Sequence, residues 1–234
     1  MKLAIMQPYF FPYIGYFQLI NAVDKFVVYD NIEYTKKGWI NRNRILVNGT
    51  KHLFSVPLKK DSDFLHINKR TLADNYPQFK NKLKGQIRSS YANSPHFKTS
   101  YPIIEECLDF EDPNLFLFIL NSLKIVCSYL NIKTAFINSS TLSIDHNLRG
   151  EDKVIEINKI LNLPTYIKAI GGVELYSKAN FEKNNIELKF IKSAPIVYSQ
   201  FNNEFVPGMS IIDVIMFNNR EEISNYLNSY YQLV

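Results

Sequence analysis

Histidine, cysteine and glycine are scarce in this chain. Its 234 residues include four histidines, two cysteines and eight glycines. His52, His66, His96 and His146 fall in no HxxxH or other metal-ligand spacing, and Cys107 and Cys127 form no CxxC pair. A structural zinc site is therefore not expected, and neither is any other metal. No GxGxxG, Walker A or GxSxG motif is present, so the usual phosphate loops and the nucleophile elbow are missing as well, and no motif assigns a cofactor. Long apolar runs are absent too. The longest, Leu115 to Leu120, is far short of the roughly 20 residues that span a bilayer. Met1-Lys2-Leu3 leads directly to Gln7-Pro8-Tyr9 without an apolar leader core, which predicts no signal peptide. Two thiols in apolar stretches suit a reducing cytoplasm.

What is present is an ordinary globular composition, 46% hydrophobic and 21% charged, with 14% aromatic residues. There is enough apolar surface to offset chain entropy over the whole length, which argues against disorder. Lys and Arg number 27 against 22 Asp and Glu, a net charge of +5. A basic chain favours phosphate groups, nucleotide sugars, tRNA or acidic lipid, and a solvated lysine-rich surface is the plain alternative.

The pattern along the chain alternates strands and helices. Leu3 to Met6 reads as a buried strand, Pro8 and Pro12 stiffen a loop, and Phe17, Leu19, Ile20 and Val23 have helical spacing before a second strand, Phe26 to Tyr29. That is the size of a βαβ unit. Arg44 to Val47 and His52 to Val56 flank Asn48-Gly49, a hairpin signal. Phe64 to Lys69 reads as another short strand. Helices are expected at 75–88 and 115–130, with Asp112 as cap and Pro113 at the first position of the second, and Pro95 and Pro102 dividing the pieces between. A strand at Ala135 to Ile137, a helix at 152–161, a strand at Thr165 to Ile170, a strand at Glu187 to Ile191 and a helix opening at Ser210 complete the reading. The expectation is an α/β fold with a largely parallel sheet, a single domain over 1–234 and a helix-rich insert or lobe at about 75–130.

Four segments carry candidate chemistry. The loop after the first strand holds Gln7, Tyr9, Tyr13 and Tyr16, aromatic walls with hydroxyl tips suited to a sugar or base. Gly15 there would admit a ligand to the helix N-terminus. Phe10, Phe11 and Phe17 read as core, Gln7 and Tyr16 as ligand-facing. The second segment follows Asp30, at the end of a strand. Lys36, Lys37, Arg42 and Arg44 surround Trp39, the single tryptophan, with Asn41 and Asn43 between the arginines. Arginine forks grip phosphate and tryptophan stacks on rings, whereas a charged hairpin edge is the bland reading. The third, Gly171-Gly172 to Tyr176, can cradle an anion with backbone amides or mark an ordinary turn. In the fourth, Ser210 reads as a helix cap, and Asp213 is either a cap partner or a buried acid reaching the site. Asp145-His146 reads as a surface pair.

The string MQPYFFPYIGYF over 6–17, VVYD over 27–30 and GWINRNRI over 38–45 resembles the opening of the WbqC-like protein family. Ser90-Tyr91 with His96-Phe97, the Gly171-Gly172 to Tyr176 stretch and Ser210 to Asp213 are similar to later landmarks of that family. The resemblance covers nearly the whole chain. It implies a setting in O-antigen, lipopolysaccharide and capsule synthesis, beside enzymes that make nucleotide-linked amino sugars, and it assigns no catalytic residue. A more distant likeness is to Rossmann-like, nucleotidyltransferase-like folds, where a Gly-His pair opens the helix beneath a nucleotide phosphate. Here Tyr16 stands in place of that histidine, and a tyrosine supplies no cation at neutral pH.

These readings converge on a transferase, N-acyltransferase-like, that acts on a nucleotide-activated amino sugar and moves an acyl or aminoacyl group onto its amine. Arg42 and Arg44 would hold diphosphate, while Tyr9, Tyr16 and Trp39 would flank base or sugar. Asp30 or Asp213 would take the proton, and Lys36 or Lys37 would steady the acyl donor or the oxyanion. Two alternatives stand beside it: a non-catalytic nucleotide-sugar-binding or assembly protein, and a transferase using aminoacyl-tRNA as donor.

Overall fold

The computed structural model describes the whole chain, Met1 to Val234. Its first apolar run forms β1 (Lys2–Met6). After the proline-stiffened loop come α1 (Ile14–Asn21) and β2 (Lys25–Val28). β1 and β2 pair in parallel, from Leu3 opposite Lys25 to Met6 opposite Val28, completing the expected βαβ unit. β3 (Arg42–Val47) and β4 (Thr50–Ser55) form the expected hairpin. Asn48 and Gly49 turn it with φ of 50° and 73°, the left-handed pair that a tight two-residue turn requires.

Three helices follow, α2 (Tyr76–Tyr91), α3 (Phe97–Leu108) and α4 (Leu115–Tyr129). The chain then runs through β5 (Ala135–Asn138), α5 (Gly150–Ile160), β6 (Thr165–Ala169), α6 (Lys178–Lys183) and β7 (Glu187–Ser193). It closes with α7 (Ile211–Phe217), α8 (Arg220–Ser229) and β8 (Tyr231–Leu233).

The main sheet has six strands in the order β5-β2-β1-β6-β7-β8, all parallel except β8. From β1 the chain moves outward through β2 to β5, then crosses back and continues on the other side with β6 and β7. The winding reverses between β1 and β6. At such a point the flanking connections diverge, leaving a crevice beyond the carboxyl ends of the strands.

The strand period of two divides the core. Ala4, Phe26, Val28 and Ile167 face α1, while Leu3, Ile5, Val27 and Tyr166 face the layer of α5 and α6. The first cluster holds 48 buried residues and the second 12, because α2, α3 and α4 add Leu83, Ile87, Ile104, Phe118 and Val126 to the α1 side. The helix-rich segment thus shares one core with the sheet. Burying each such side chain contributes roughly 1.5–3 kcal/mol.

Several local expectations differ from the structure. The stretch 64–69 is not a strand: Phe64 is 76% exposed, and only a bridge from His66 to Glu33 and a single 3-10 turn at Ile67–Lys69 form there. Pro102 lies in the middle of α3, where the missing N–H leaves the Lys98 carbonyl, on an exposed residue, without its helical donor. The cap of α4 is Asn114, which accepts from Leu117 N at 3.1 Å, and Pro113 stands outside the helix. Helices α6 and α8 and strand β8 had no counterpart in the sequence reading. No helix is long and apolar enough to cross a membrane.

Candidate functional site

The loop from β1 to α1 is held from several sides. Phe11 has φ of 44°, a left-handed conformation that is costly for a bulky residue. Its carbonyl accepts from Asn43 Nδ2 at 2.7 Å and from Ser210 Oγ at 2.7 Å. Asn43 Nδ2 also donates to the Phe10 carbonyl at 3.2 Å, and Ile211 N donates to the Pro12 carbonyl at 2.9 Å. β3 and the start of α7 therefore set this loop.

The loop and the segment before β3 enclose a hollow of about 240 Å³ lined by Tyr9, Pro12, Tyr13, Trp39, Asn43 and Gly208. Arg42 and Arg44 lie over the Trp39 ring, their guanidinium carbons 5.6 and 4.8 Å from its centroid. Their roles differ. Arg42 donates from Nε to the Gly38 carbonyl at 2.7 Å and from Nη2 to the Lys37 carbonyl, so its fork braces the Trp39 loop. Arg44 belongs to no ion pair. The N-terminus of α1 is closed by Tyr13: a Cβ on Gly15 would overlap the Tyr13 ring. Gly15 therefore makes room for this chain's own aromatic side chain, and that ring stands where a ligand was expected to approach.

A second cavity, of about 310 Å³, opens where the winding reverses. Met6, Gln7 and Tyr9 line it from the end of β1, Tyr29 from β2, Gly150 and Val154 from α5, and Tyr166, Lys168 and Tyr176 from β6 and beyond. Tyr9 is common to both cavities. The Lys168 ammonium lies 5.6 Å from the Tyr176 ring centroid and takes part in no ion pair; burial holds its pKa below the usual lysine range. Tyr166 is fully buried, and its hydroxyl has no hydrogen-bond partner. Burial, with Tyr176 beside it, pushes that phenol well above its usual range. Lys153, 3% exposed, donates to the His146 carbonyl at 3.1 Å and lies 5.0 Å from the Tyr29 ring.

The remaining residues read from the sequence fall in other surroundings. Asp30 is 2% exposed and accepts from Ser139 Oγ at 2.8 Å, Ser140 Oγ at 2.6 Å, Ser140 N at 2.9 Å and Asn68 Nδ2 at 2.9 Å. Burial raises its pKa, and these donors outweigh that and lower it overall. Asp213 is fully buried beneath Tyr91, Tyr198 and Gln200, which donate to it at 2.8, 2.6 and 2.7 Å; burial raises its pKa. Neither carboxylate lines the two cavities. Tyr16 is buried and donates to the Gln7 carbonyl at 2.7 Å, so it shapes the second cavity from behind. Asn41 accepts from Tyr34 and donates to Val56, both at 2.7 Å. Lys37 is exposed, and Lys36 pairs with Asp63 on the surface at 2.6 Å. Gly171 and Gly172 lie in a 3-10 turn at Ile170–Leu175, and a Cβ on Gly172 would come within 3.0 Å of Lys168 Cε. Ser210 caps α7 at Ile212 N, 3.2 Å away, as expected.

Sequence reasoning missed Lys168, Tyr166 and Tyr29. A signal existed: Tyr166 and Lys168 are two apart on β6, hence on one face, and a lysine near the end of a central parallel strand is unusual. Three larger depressions lie elsewhere; one, of about 360 Å³ beside Arg220, holds no ion pair, and the other two carry their own compensation. One holds the ion pairs Lys59–Asp74 at 2.8 Å and Lys80–Asp109 at 3.0 Å, the other Lys189–Glu187 at 2.8 Å. No three His, Cys, Asp or Glu side chains gather as metal ligands.

The model of the WbqC-like protein family matches residues 7–225. The chain belongs to the WbqC-like protein family. The match takes in all of the hollow's lining and most of the second cavity's, from Gln7 through Trp39 to Tyr176. A Mycobacterium tuberculosis (strain ATCC 25618 / H37Rv) relative, described as uncharacterized protein Rv1507c, is 29% identical over 231 residues, covering 97% of each chain. No solved structure matches this WbqC-like chain.

Proposed function

We propose that this WbqC-like protein binds a nucleotide-activated amino sugar across the two cavities that share Tyr9 as a wall, and transfers an acyl or aminoacyl group to the sugar amine. The observation that carries the reading is Tyr9, the shared wall of an aromatic hollow and a cationic cavity at the reversal of the sheet. A molecule with a flat or ring-shaped part and an anionic part fits that pair. The strand order, reversing beside β1, is compatible with a Rossmann-like or nucleotidyltransferase-like sheet. The surface-polysaccharide setting comes from the family resemblance.

In this reading Tyr9, Tyr13 and Trp39 sandwich a base or sugar ring, and Arg44 backs the Trp39 ring from its stacked position. In the transfer, the amine nitrogen bonds to the acyl carbon, the donor's ester or thioester bond breaks, and the surplus amine proton leaves with the departing group or to solvent. The test is incubation with UDP-, dTDP- and GDP-amino sugars and candidate acyl donors, read by mass. A mass gain of one acyl group on one sugar supports the reading, and no change in any pairing counts against transfer.

A second reading has its own observation. Asp30 and Asp213, the acids considered as general base, are both saturated with donors away from the cavities. That favours a protein that holds a sugar nucleotide without turning it over. Saturable calorimetric binding with no mass change distinguishes it.

A further inference from the structure

We infer that the cavity between the carboxyl ends of β1 and β6 is an anion site, in which Lys168 grips the diphosphate of the bound nucleotide. The inference rests on the sugar-nucleotide reading and moves its charged half away from the arginines. Arg42 is spent on the Gly38 and Lys37 carbonyls, and Arg44 is stacked on Trp39. Lys168 donates to no carbonyl and belongs to no ion pair; its ammonium rests only against the Tyr176 ring, 5.6 Å from the centroid.

Lys168 is half-buried, and a partly desolvated ammonium without a carboxylate is unfavourable, because its lost hydration is not offset. Some other lysines of comparable burial have a polar partner. Lys80 and Lys84 meet Asp109, and buried Lys153 has the His146 carbonyl. Around Lys168 the acids are otherwise engaged. Glu151, on the first turn of α5, is taken by Ser177 N and Asn180 Nδ2, and Asp30 by four donors. Lys168 forms no ion pair with any carboxylate, and burial lowers its pKa.

A second group in the same cavity is also unanswered. The Tyr166 hydroxyl, fully buried, makes no hydrogen bond of good geometry and has only the Tyr176 side chain beside it, an unfavourable setting for a buried donor. An oxyanion in the cavity that Lys168 and Tyr166 both line would answer both groups. The site is also preformed: Gly172, lacking a Cβ, lets the Lys168 stem lie against the turn that follows β6. A diphosphate there is adjacent to Tyr9, beyond which the aromatic hollow receives the ring. The shared chemistry is phosphate, from either a nucleotide or a free anion.

The test is calorimetry on the full chain with inorganic pyrophosphate and, separately, with UDP-N-acetylglucosamine, for wild type, Lys168→Met and Tyr166→Phe. Lys168→Met keeps the stem packing and removes the charge. The expected result is pyrophosphate binding to wild type that weakens about ten- to a hundredfold in Lys168→Met and severalfold in Tyr166→Phe. Without ligand, both variants are expected to melt at or above the wild-type temperature, because each loses an unanswered polar group; a residue present for structure alone would lower it. Equal pyrophosphate affinity in wild type and Lys168→Met overturns the inference, as does wild type that binds no pyrophosphate. If Lys168→Met fails to fold, unchanged affinity in Tyr166→Phe overturns it instead. Pyrophosphate binding without any sugar-nucleotide binding leaves the anion site standing and removes the function proposed above. Sugar-nucleotide binding indifferent to Lys168→Met does the reverse.

Discussion

Asn43 holds Phe11 in a left-handed backbone conformation by donating to its carbonyl at 2.7 Å. The bond links β3 to the loop that walls both cavities, and Asn43 is itself 6% exposed. Replacing it by alanine leaves the Phe10 carbonyl without its donor and removes one of two donors from the Phe11 carbonyl. Asn43→Ala is expected to destabilise the fold by about 1–3 kcal/mol, measured by urea denaturation. Ligand binding in the aromatic hollow should fall as well. Wild-type stability in this variant would show that Ser210 alone suffices to hold Phe11.

Asp30 sets an acid limit. Burial raises its pKa, but Ser140, Asn68 and Ser139 bind the carboxylate more strongly and leave it below its ordinary 3.8. A lowered folded pKa means that this contribution is complete above the unfolded value and disappears as pH falls through the folded one. Urea midpoints are therefore expected to drop steeply from pH 4 downward. Asp30→Asn should be less stable at neutral pH by about 1–3 kcal/mol and show a flatter acid limb. An acid limb as steep as that of wild type would assign the loss to other carboxylates.

Trp39 is the single tryptophan, so its fluorescence reports on one place. A base or sugar ring entering the hollow beside it should change both intensity and emission maximum. Trp39→Ala is expected to weaken binding about ten- to a hundredfold, the range for losing an aromatic stacking partner. A ligand that binds by calorimetry without altering the emission lies elsewhere.

Gly15→Ala sets two effects against each other. Alanine in a helix gains about 0.5–1 kcal/mol over glycine. The new Cβ meets the Tyr13 ring, which is 48% exposed and free to swing outward. The melting temperature is expected to stay within about 2–4 °C of wild type, since 1 kcal/mol moves a chain of this size by that much. Ligand affinity should nevertheless fall severalfold, because Tyr13 leaves the wall of the hollow. Unchanged affinity would show that the ring takes no part in binding.

The elements that repeat on a short period were legible. β1, α1 and β2, the Asn48-Gly49 hairpin, α2, α4 and β7 each announce themselves by spacing within one segment. Segments held by distant partners were not. β8 pairs with β7, and the helix before it, α8, is fastened by Gln18, whose Nε2 donates to Tyr226 and Tyr230 carbonyls at 2.8 and 3.0 Å. At the site, the aromatic and basic clusters around Tyr9 and Trp39 could be seen as patterns. The difference between a braced Arg42 and a free Lys168 could not.

From its sequence alone this protein is an α/β chain of the WbqC-like type with a largely parallel sheet, because hydrophobic period, turn residues and the N-terminal motif are local properties. The tertiary structure alone decided which charges are answered. Asp30, Asp213 and Arg42 acquire their partners through folding. Lys168 is left without a carboxylate and the Tyr166 hydroxyl without a hydrogen bond of good geometry, both beside Tyr176, because the reversal of strand order between β1 and β6 gathers groups from distant parts of the chain around an open cavity.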